Sequence, residues 1–206
     1  MKLPIRVEKS DRPRYDKQKE VSVYTQEELT KFFAACNETE TVWFQFFLLT
    51  GMREGEVQHV RWENINFERK TISVRADAKR GWAPKKGKER TFAALEAMNV
   101  LKTWKARANN SCDLIFPTSG CKPKLNFLDD CKAIAKRAGL DPENFWLHKF
   151  RATRATFLLQ QRMPLTNVMA ILGHTDLKSA MRYQGAQNND VILAQLEQMP
   201  SMIGGV

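Results

Sequence analysis

The sequence predicts an α+β domain that is mainly helical and carries one small antiparallel sheet. Apolar residues recur at helical spacing through most of the chain, as in Leu29, Phe32, Phe33 and Cys36. Strand signals are confined to residues 63–93. No apolar run approaches the roughly 20 residues that a membrane-crossing helix needs, and the longest, Val42 to Leu49, is broken by Gln45.

The elements follow in order. Residues 1–22 hold seven Lys/Arg and four Asp/Glu among few apolar side chains, and read as a basic arm or linker. Thr25-Gln26-Glu27-Glu28 is a capping box that opens the first helix. A second helix is expected from Thr41 to Thr50; Val42, Trp43, Phe46, Phe47 and Leu49 make it apolar on more than one side, so it is central, and Gly51 ends it. A short helix spans Glu54 to Val60. Ile65 and Phe67, the polar turn Glu68-Arg69-Lys70, and Thr71 to Val74 give two strands; a third resumes from Glu89 to Phe92 after a basic loop punctuated by Gly81, Pro84 and Gly87. Helices are expected at Ala93–Ala108, at Leu125–Ala138 with Gly139 just past its end, and at Phe150–Arg162, Leu165–Leu172 and Leu177–Tyr183. Asp190 precedes a last amphipathic segment.

A length of 206 residues fits one compact domain with a tail, or at most two small ones. The division expected is an arm over 1–22, a catalytic domain over 23–190 and a C-terminal segment over 191–206, whose Ile192, Leu196, Met199 and Ile203 suit docking on a neighbouring protomer or packing in cis. The N-terminus is charged from Lys2 onward and has no signal-peptide core. Cys36, Cys112, Cys121 and Cys131 form no C-x-x-C pair and have no His at zinc-ligand spacing. They read as reduced, partly buried thiols in a cytoplasmic protein, with no metal. The formal net charge of +10 suggests a polyanionic partner, without separating DNA from RNA or anionic lipid.

Four features carry chemistry. Thr50-Gly51-Met52-Arg53-Glu54-Gly55-Glu56 sets an Arg just past a helix end. Lys85-Lys86-Gly87-Lys88-Glu89-Arg90 is a cationic turn. His148 and Arg151 stand at i, i+3 on one helix face. Leu172-Gly173-His174 is followed nine residues later by Tyr183. Each is ordinary alone: such groups are usually solvated charges, hairpin tips or rim residues. His59 reads as structural.

Together, in this order and spacing, they resemble the tyrosine recombinase, or phage integrase, family, whose pattern is an Arg in T-G-x-R-x-x-E, a hairpin Lys, H-x-x-R, L-G-H and a Tyr about nine residues on. The resemblance covers roughly residues 22–196. It implies a mainly helical catalytic domain with a three-stranded antiparallel sheet. It implies Tyr183 as nucleophile, Arg53 and Arg151 as the arginines that hold the scissile phosphate, and His174 as the residue completing that clamp. It further implies His148 as a phosphate-contacting His and possible base, in the family's terms, and Glu56 as the acidic buttress. Lys85 matches the hairpin general acid, because Arg90 stands five residues on; Lys86 is the alternative register. Lys79, Arg80, Trp82, Lys86, Lys88 and Arg90 are expected to form a cationic finger along DNA, giving salt-dependent affinity.

The chemistry explains the residue types. Guanidiniums bind phosphate oxygens bidentately and stay charged. A free phenol, with pKa about 10, needs neighbouring positive charge or a base before it attacks. A phosphotyrosine ester keeps the energy of the broken phosphodiester, so the implied enzyme cuts and rejoins double-stranded DNA without ATP, metal or other cofactor. The resemblance also implies a homotetramer on two DNA sites. Two departures are Ala152, where the family often has His, and Phe150, where Leu is common. Family members usually carry an N-terminal helical domain that clamps DNA; with about 22 linker-like residues ahead of the catalytic fold, a fragment with weak DNA binding is expected. Alternative readings are a silent DNA-binding domain of the same fold and a type IB topoisomerase.

Overall fold

Thr25 and Asn37 open the first two helices by the same device. In each, the cap side chain accepts the amide of the third helical residue, Glu28 or Glu40, and that residue's carboxylate accepts the cap amide. The computed structural model describes residues 21–108 and 111–174. Its helices are α1 Gln26–Ala34, α2 Glu38–Thr50, α3 Glu54–Gln58, α4 Leu95–Arg107, α5 Phe127–Arg137, α6 Leu147–Gln160 and α7 Leu165–Leu172. Strands β1 Ile65–Asn66, β2 Thr71–Val74 and β3 Arg90–Ala93 form one antiparallel sheet in the order β1-β2-β3. None of these helices is long and apolar enough to cross a membrane.

Helix α2 is central, as its all-round apolar character predicts, and packs against α4 and α6. Phe44, Phe46 and Phe47 are buried on it. Aromatic rings weld its neighbours together: Phe32 of α1 stacks on Phe145 at 5.3 Å, Phe44 on Phe150 of α6 at 5.6 Å, and Phe47 meets Phe127 of α5 at 5.2 Å. Each fully buried ring of this kind stabilises the fold by about 1.5–3 kcal/mol through area removed from water. In the sheet, Ile72 of β2 stands between Ile65 and Phe92. These three and Val74 turn to the core, while Ser73 and Thr91 share a 2.8 Å hydroxyl contact on the other face.

Two helices start three residues earlier than expected, and α4 and α5 start two residues later, at Leu95 and Phe127. α2 begins at Glu38, not Thr41, because Asn37 and Glu40 supply the capping box. α6 begins at Leu147, not Phe150, and its cap comes from far away in the chain. The Tyr24 hydroxyl accepts the Trp146 amide at 2.9 Å and donates to the Trp146 carbonyl at 3.0 Å. Residues 75–89 are not a simple hairpin tip. Asp77 and Trp82 pair across a short 3-10 turn, and a second such turn holds Lys85–Gly87. Residues 1–20 of the arm expected over 1–22, the helix expected at Leu177–Tyr183 with its tyrosine, and the segment 191–206 lie outside the described residues.

The reduced state expected of all four cysteines is corrected for two. Residues 117–123 fold back, with Pro117 bridging Pro123, and bring Cys112 and Cys121 to a Cα separation of 5.6 Å as a disulfide. Cys36 and Cys131 are free thiols, and burial pushes each up to about 12, which keeps them protonated and inert.

Thiol titration of the unfolded, unreduced chain is therefore expected to find two free thiols, and four would contradict the disulfide. Cys112→Ala together with Cys121→Ala should cost about 2–3 kcal/mol in urea unfolding, from a closed loop of this length.

Candidate active site

Two helix ends make the floor of the site. At the end of α2, the Thr50 hydroxyl donates to the Phe46 carbonyl and accepts the Met52 amide. Gly51 then turns left-handed (φ +61°), a conformation that favours glycine, and a Cβ there would stand 2.6 Å from Leu172 Cδ2 and push that side chain aside. The turn delivers Arg53 as the residue capping α3. At the end of α7, Gly173 is again left-handed (φ +67°) and delivers His174, whose amide closes back on the Met169 carbonyl.

Arg151 joins these ends. It is 1% exposed, and its Nη1 and Nη2 donate to the Gly51 and Leu172 carbonyls, each at 2.6 Å. Those carbonyls belong to the negative ends of two helix dipoles, so a buried cation is stabilised there. Arg53 reaches the same α7 turn, donating from Nη2 to the Gly173 carbonyl at 3.4 Å.

Glu56 organises the cations from below. Its side chain is 2% exposed. It accepts the Arg53 amide and Nη1 at 3.0 and 2.9 Å, and both Nη groups of Arg90 at 2.8 Å. Burial pushes the Glu56 carboxyl up, but the Arg90 hydrogen bonds and charge, with the Arg53 amide and charge, outweigh it and hold the carboxyl below its ordinary value. Glu56 thus lies between Arg53 and Arg90, and Arg90 is a partner that sequence order did not reveal.

Arg53, His174, Lys85, Lys86, Lys88 and Arg90 line one cavity of about 450 Å³. His148 lies outside that lining, exposed in the first turn of α6. Desolvation, then the positive charges of Arg151 and Arg53, lower its pKa and favour the neutral imidazole. The turn that carries it is fixed by its neighbour Lys149, which is buried with Nζ 4.4 Å over the Tyr24 ring and 5.2 Å over Trp146. Tyr183 lies outside the described residues.

The six residues expected to form a cationic finger fall into two groups. Lys79, Lys85, Lys86 and Lys88 are exposed. Arg80 instead pairs with Asp77 and Asp113, which hold the loop to the domain, and Arg90 turns inward. Trp82 lies face to face with His59, centroids 4.7 Å apart, with its Nε1 against Gly55. His59 also sets Nδ1 2.9 Å from the Gly55 carbonyl oxygen, in keeping with a structural role. The contacts of Arg80 with Asp113, of Arg90 with Glu56 and of Trp82 with His59 carry no local sequence signal, because each joins segments far apart in the chain.

The phage integrase family model matches residues 22–190. Among known proteins, the chain is 27% identical over 191 residues to tyrosine recombinase XerC of Oceanobacillus iheyensis, covering 87% of this chain and 61% of that protein. It is 27% identical over 187 residues to tyrosine recombinase XerA of Saccharolobus solfataricus, covering 90% of this chain and 59% of that one. The chain thus spans less than two thirds of the length of these relatives. Among solved structures, an integrase of transposon Tn1549 in complex with a circular intermediate DNA superposes with a TM-score of 0.73 at 15% identity, over 87% of this chain and 66% of that one. XerH recombinase bound to a palindromic difH substrate gives 0.66 at 22% identity, over 88% and 54%. At these identities the superpositions establish a shared fold.

Glu56→Gln leaves two arginines facing a neutral amide and is expected to cost about 3–5 kcal/mol at neutral pH. Because the folded carboxyl titrates below its unfolded value of about 4.3, this stabilisation is present above that pH and is lost as pH falls through the folded value. Urea midpoints of wild type and variant should therefore converge in acid; a gap independent of pH would contradict the assignment.

Proposed function

Because the chain belongs to the phage integrase family, the tyrosine recombinases, we propose that it is a catalytic domain that cuts and rejoins double-stranded DNA through a phosphotyrosine at Tyr183. The observation that carries this reading is the cavity shared by Arg53, His174 and the lysines of the basic loop, with Arg151 holding together the two turns that deliver Arg53 and His174. A phosphodiester in that cavity would meet a concentration of fixed positive charge suited to the charge that builds on its non-bridging oxygens.

The proposed step runs as follows. The Tyr183 phenol gives up its proton, with His148 as the candidate base, and its oxygen attacks phosphorus. The new P–O bond to tyrosine forms as the bond to the 5′ oxygen breaks, and that oxygen takes a proton from Lys85. Arg53 and His174, which line the cavity, stabilise the phosphorane-like transition state, and Arg151, buried with both Nη groups on the Gly51 and Leu172 carbonyls, holds the two turns that carry them. The lowered pKa of His148 supports a base role, since a neutral imidazole accepts a proton. Rejoining is the reverse, with the 5′ hydroxyl attacking the phosphotyrosine, so the ester replaces ATP as the energy store. Partner DNA is supported by the net charge of +10 and by relatives whose structures hold DNA. Assembly of four copies on two duplexes belongs to the same proposal.

A nicked duplex that loses a short 5′ fragment after cleavage should trap a covalent protein–DNA adduct. Tyr183→Phe should abolish the adduct and keep DNA binding; a chain that binds but never forms it is a silent DNA-binding domain. Relaxation of supercoiled plasmid at no defined site would instead favour a topoisomerase.

Lys85→Ala should slow cleavage by roughly 100- to 10,000-fold, the range for loss of a general acid. A 5′-bridging sulfur, whose thiolate leaves without a proton, should restore the rate. If Lys86→Ala shows that rescue and Lys85→Ala does not, the proton comes from Lys86.

A further inference from the structure

We propose that Arg90 is a positioning residue for this site, holding Arg53 through Glu56 and the His174 turn through α7, with no contact of its own to DNA phosphate. The inference rests on the recombinase reading above. Arg90 stands at the start of β3, where the basic loop ends, and sequence order alone groups it with the loop's DNA-facing cations.

Its guanidinium is engaged inward at all three nitrogens. Nη1 and Nη2 meet the two carboxylate oxygens of Glu56, each at 2.8 Å, and Nε donates to the Ile171 carbonyl at 3.2 Å. Gly173 lies against its shaft so closely that a Cβ there would stand 2.8 Å from Arg90 Cδ. The side chain is 11% exposed, against 31% for Arg53. Both arginines border the cavity, but all three Arg90 nitrogens are directed at Glu56 and α7, and Arg53 is the more exposed of the two.

One carboxylate therefore serves both arginines. With both its oxygens gripped by Arg90, Glu56 presents a fixed acceptor to Arg53 Nη1 and the Arg53 amide. A planar fork on a carboxylate fixes orientation as well as distance, which an ammonium at the same place would not. Without Arg90, Glu56 would be free to swing and Arg53 would move with it. The same contacts tie β3, and hence the lysine-bearing loop, to the floor that holds Arg53 and His174.

The test uses the full chain and the nicked trapping duplex. Arg90→Gln and Arg90→Lys are compared with wild type, each alone and combined with Arg53→Lys. Single-turnover adduct formation by Arg90→Gln should fall roughly 100-fold, as for a small misplacement of a catalytic group. Arg90→Lys should be intermediate. DNA affinity and its salt dependence should be unchanged. In the Arg53→Lys background, adding Arg90→Gln should cost clearly less than it does in wild type, because the part of its effect that passes through Arg53 is already lost. A weaker affinity with a salt slope reduced by about one would reveal a phosphate contact and overturn the proposal. An equal fold-loss in both backgrounds would also overturn it. Should Arg90→Gln fail to give a native melting transition, Arg90→Lys carries the same comparison, and a wild-type rate there counts against the proposal. A wild-type chain that forms no adduct sinks the recombinase reading; a wild-type adduct with an undiminished Arg90→Gln rate sinks this inference alone.

Discussion

The guanidinium of Arg151 is the tie on which the site depends. It is buried between the C-terminal ends of α2 and α7 and donates to a carbonyl on each, Gly51 and Leu172. Arg53 follows one of these carbonyls by two residues and His174 follows the other by two. The register between two residues 121 positions apart is thus set through one planar group whose fork fits two acceptors at once. Helix C-termini are suitable partners, since their last carbonyls lack intrahelical donors and carry the negative end of the dipole. Left-handed glycines at both ends let the chain turn away at once, so each carbonyl stays beside the guanidinium and each functional side chain comes next.

Positive charge gathered in this way repels itself, and the structure offsets that repulsion locally. Glu56 sits beneath Arg53 and Arg90 as a buried anion held ionised by both. The carbonyl dipoles answer Arg151. The lysines of the basic loop lie exposed, where water solvates them until an anion arrives. The result is a graded field: compensated cations below, open cations at the rim of the cavity. His148 feels the lower layer, and its imidazole is kept neutral beside a cationic floor.

The basic loop is anchored at several separate points. Trp82 lies on His59 and Gly55 of the α3 region, Arg80 pairs with Asp113, and Arg90 grips Glu56. Asp113 itself follows Cys112, whose disulfide to Cys121 closes the neighbouring loop. A segment with this many attachments holds its lysines near Arg53 while their own side chains stay free to adjust.

By itself the sequence determined most of the described helices, the sheet and the roster of candidate catalytic groups. The capping box at Thr25, the all-round apolar face of α2, the alternation through Ile72 and Val74, and the span Leu165–Leu172 are local patterns, and local forces of spacing and hydrogen bonding reproduce them in the fold. The Arg, Lys, His and Tyr motifs were legible for the same reason, as short strings with fixed spacing. Tertiary structure decided what those strings touch. The start of α6 was set by the Tyr24 hydroxyl, 122 residues away. The pairing of Cys112 with Cys121 depended on a fold-back between them, and the separation of Arg90 from the exposed lysines depended on Glu56 lying beneath β3. These are contacts between elements distant in the chain, and no periodicity encodes them. Whether a charge faces water or a buried carboxylate is settled only when the helices and the sheet have closed around it.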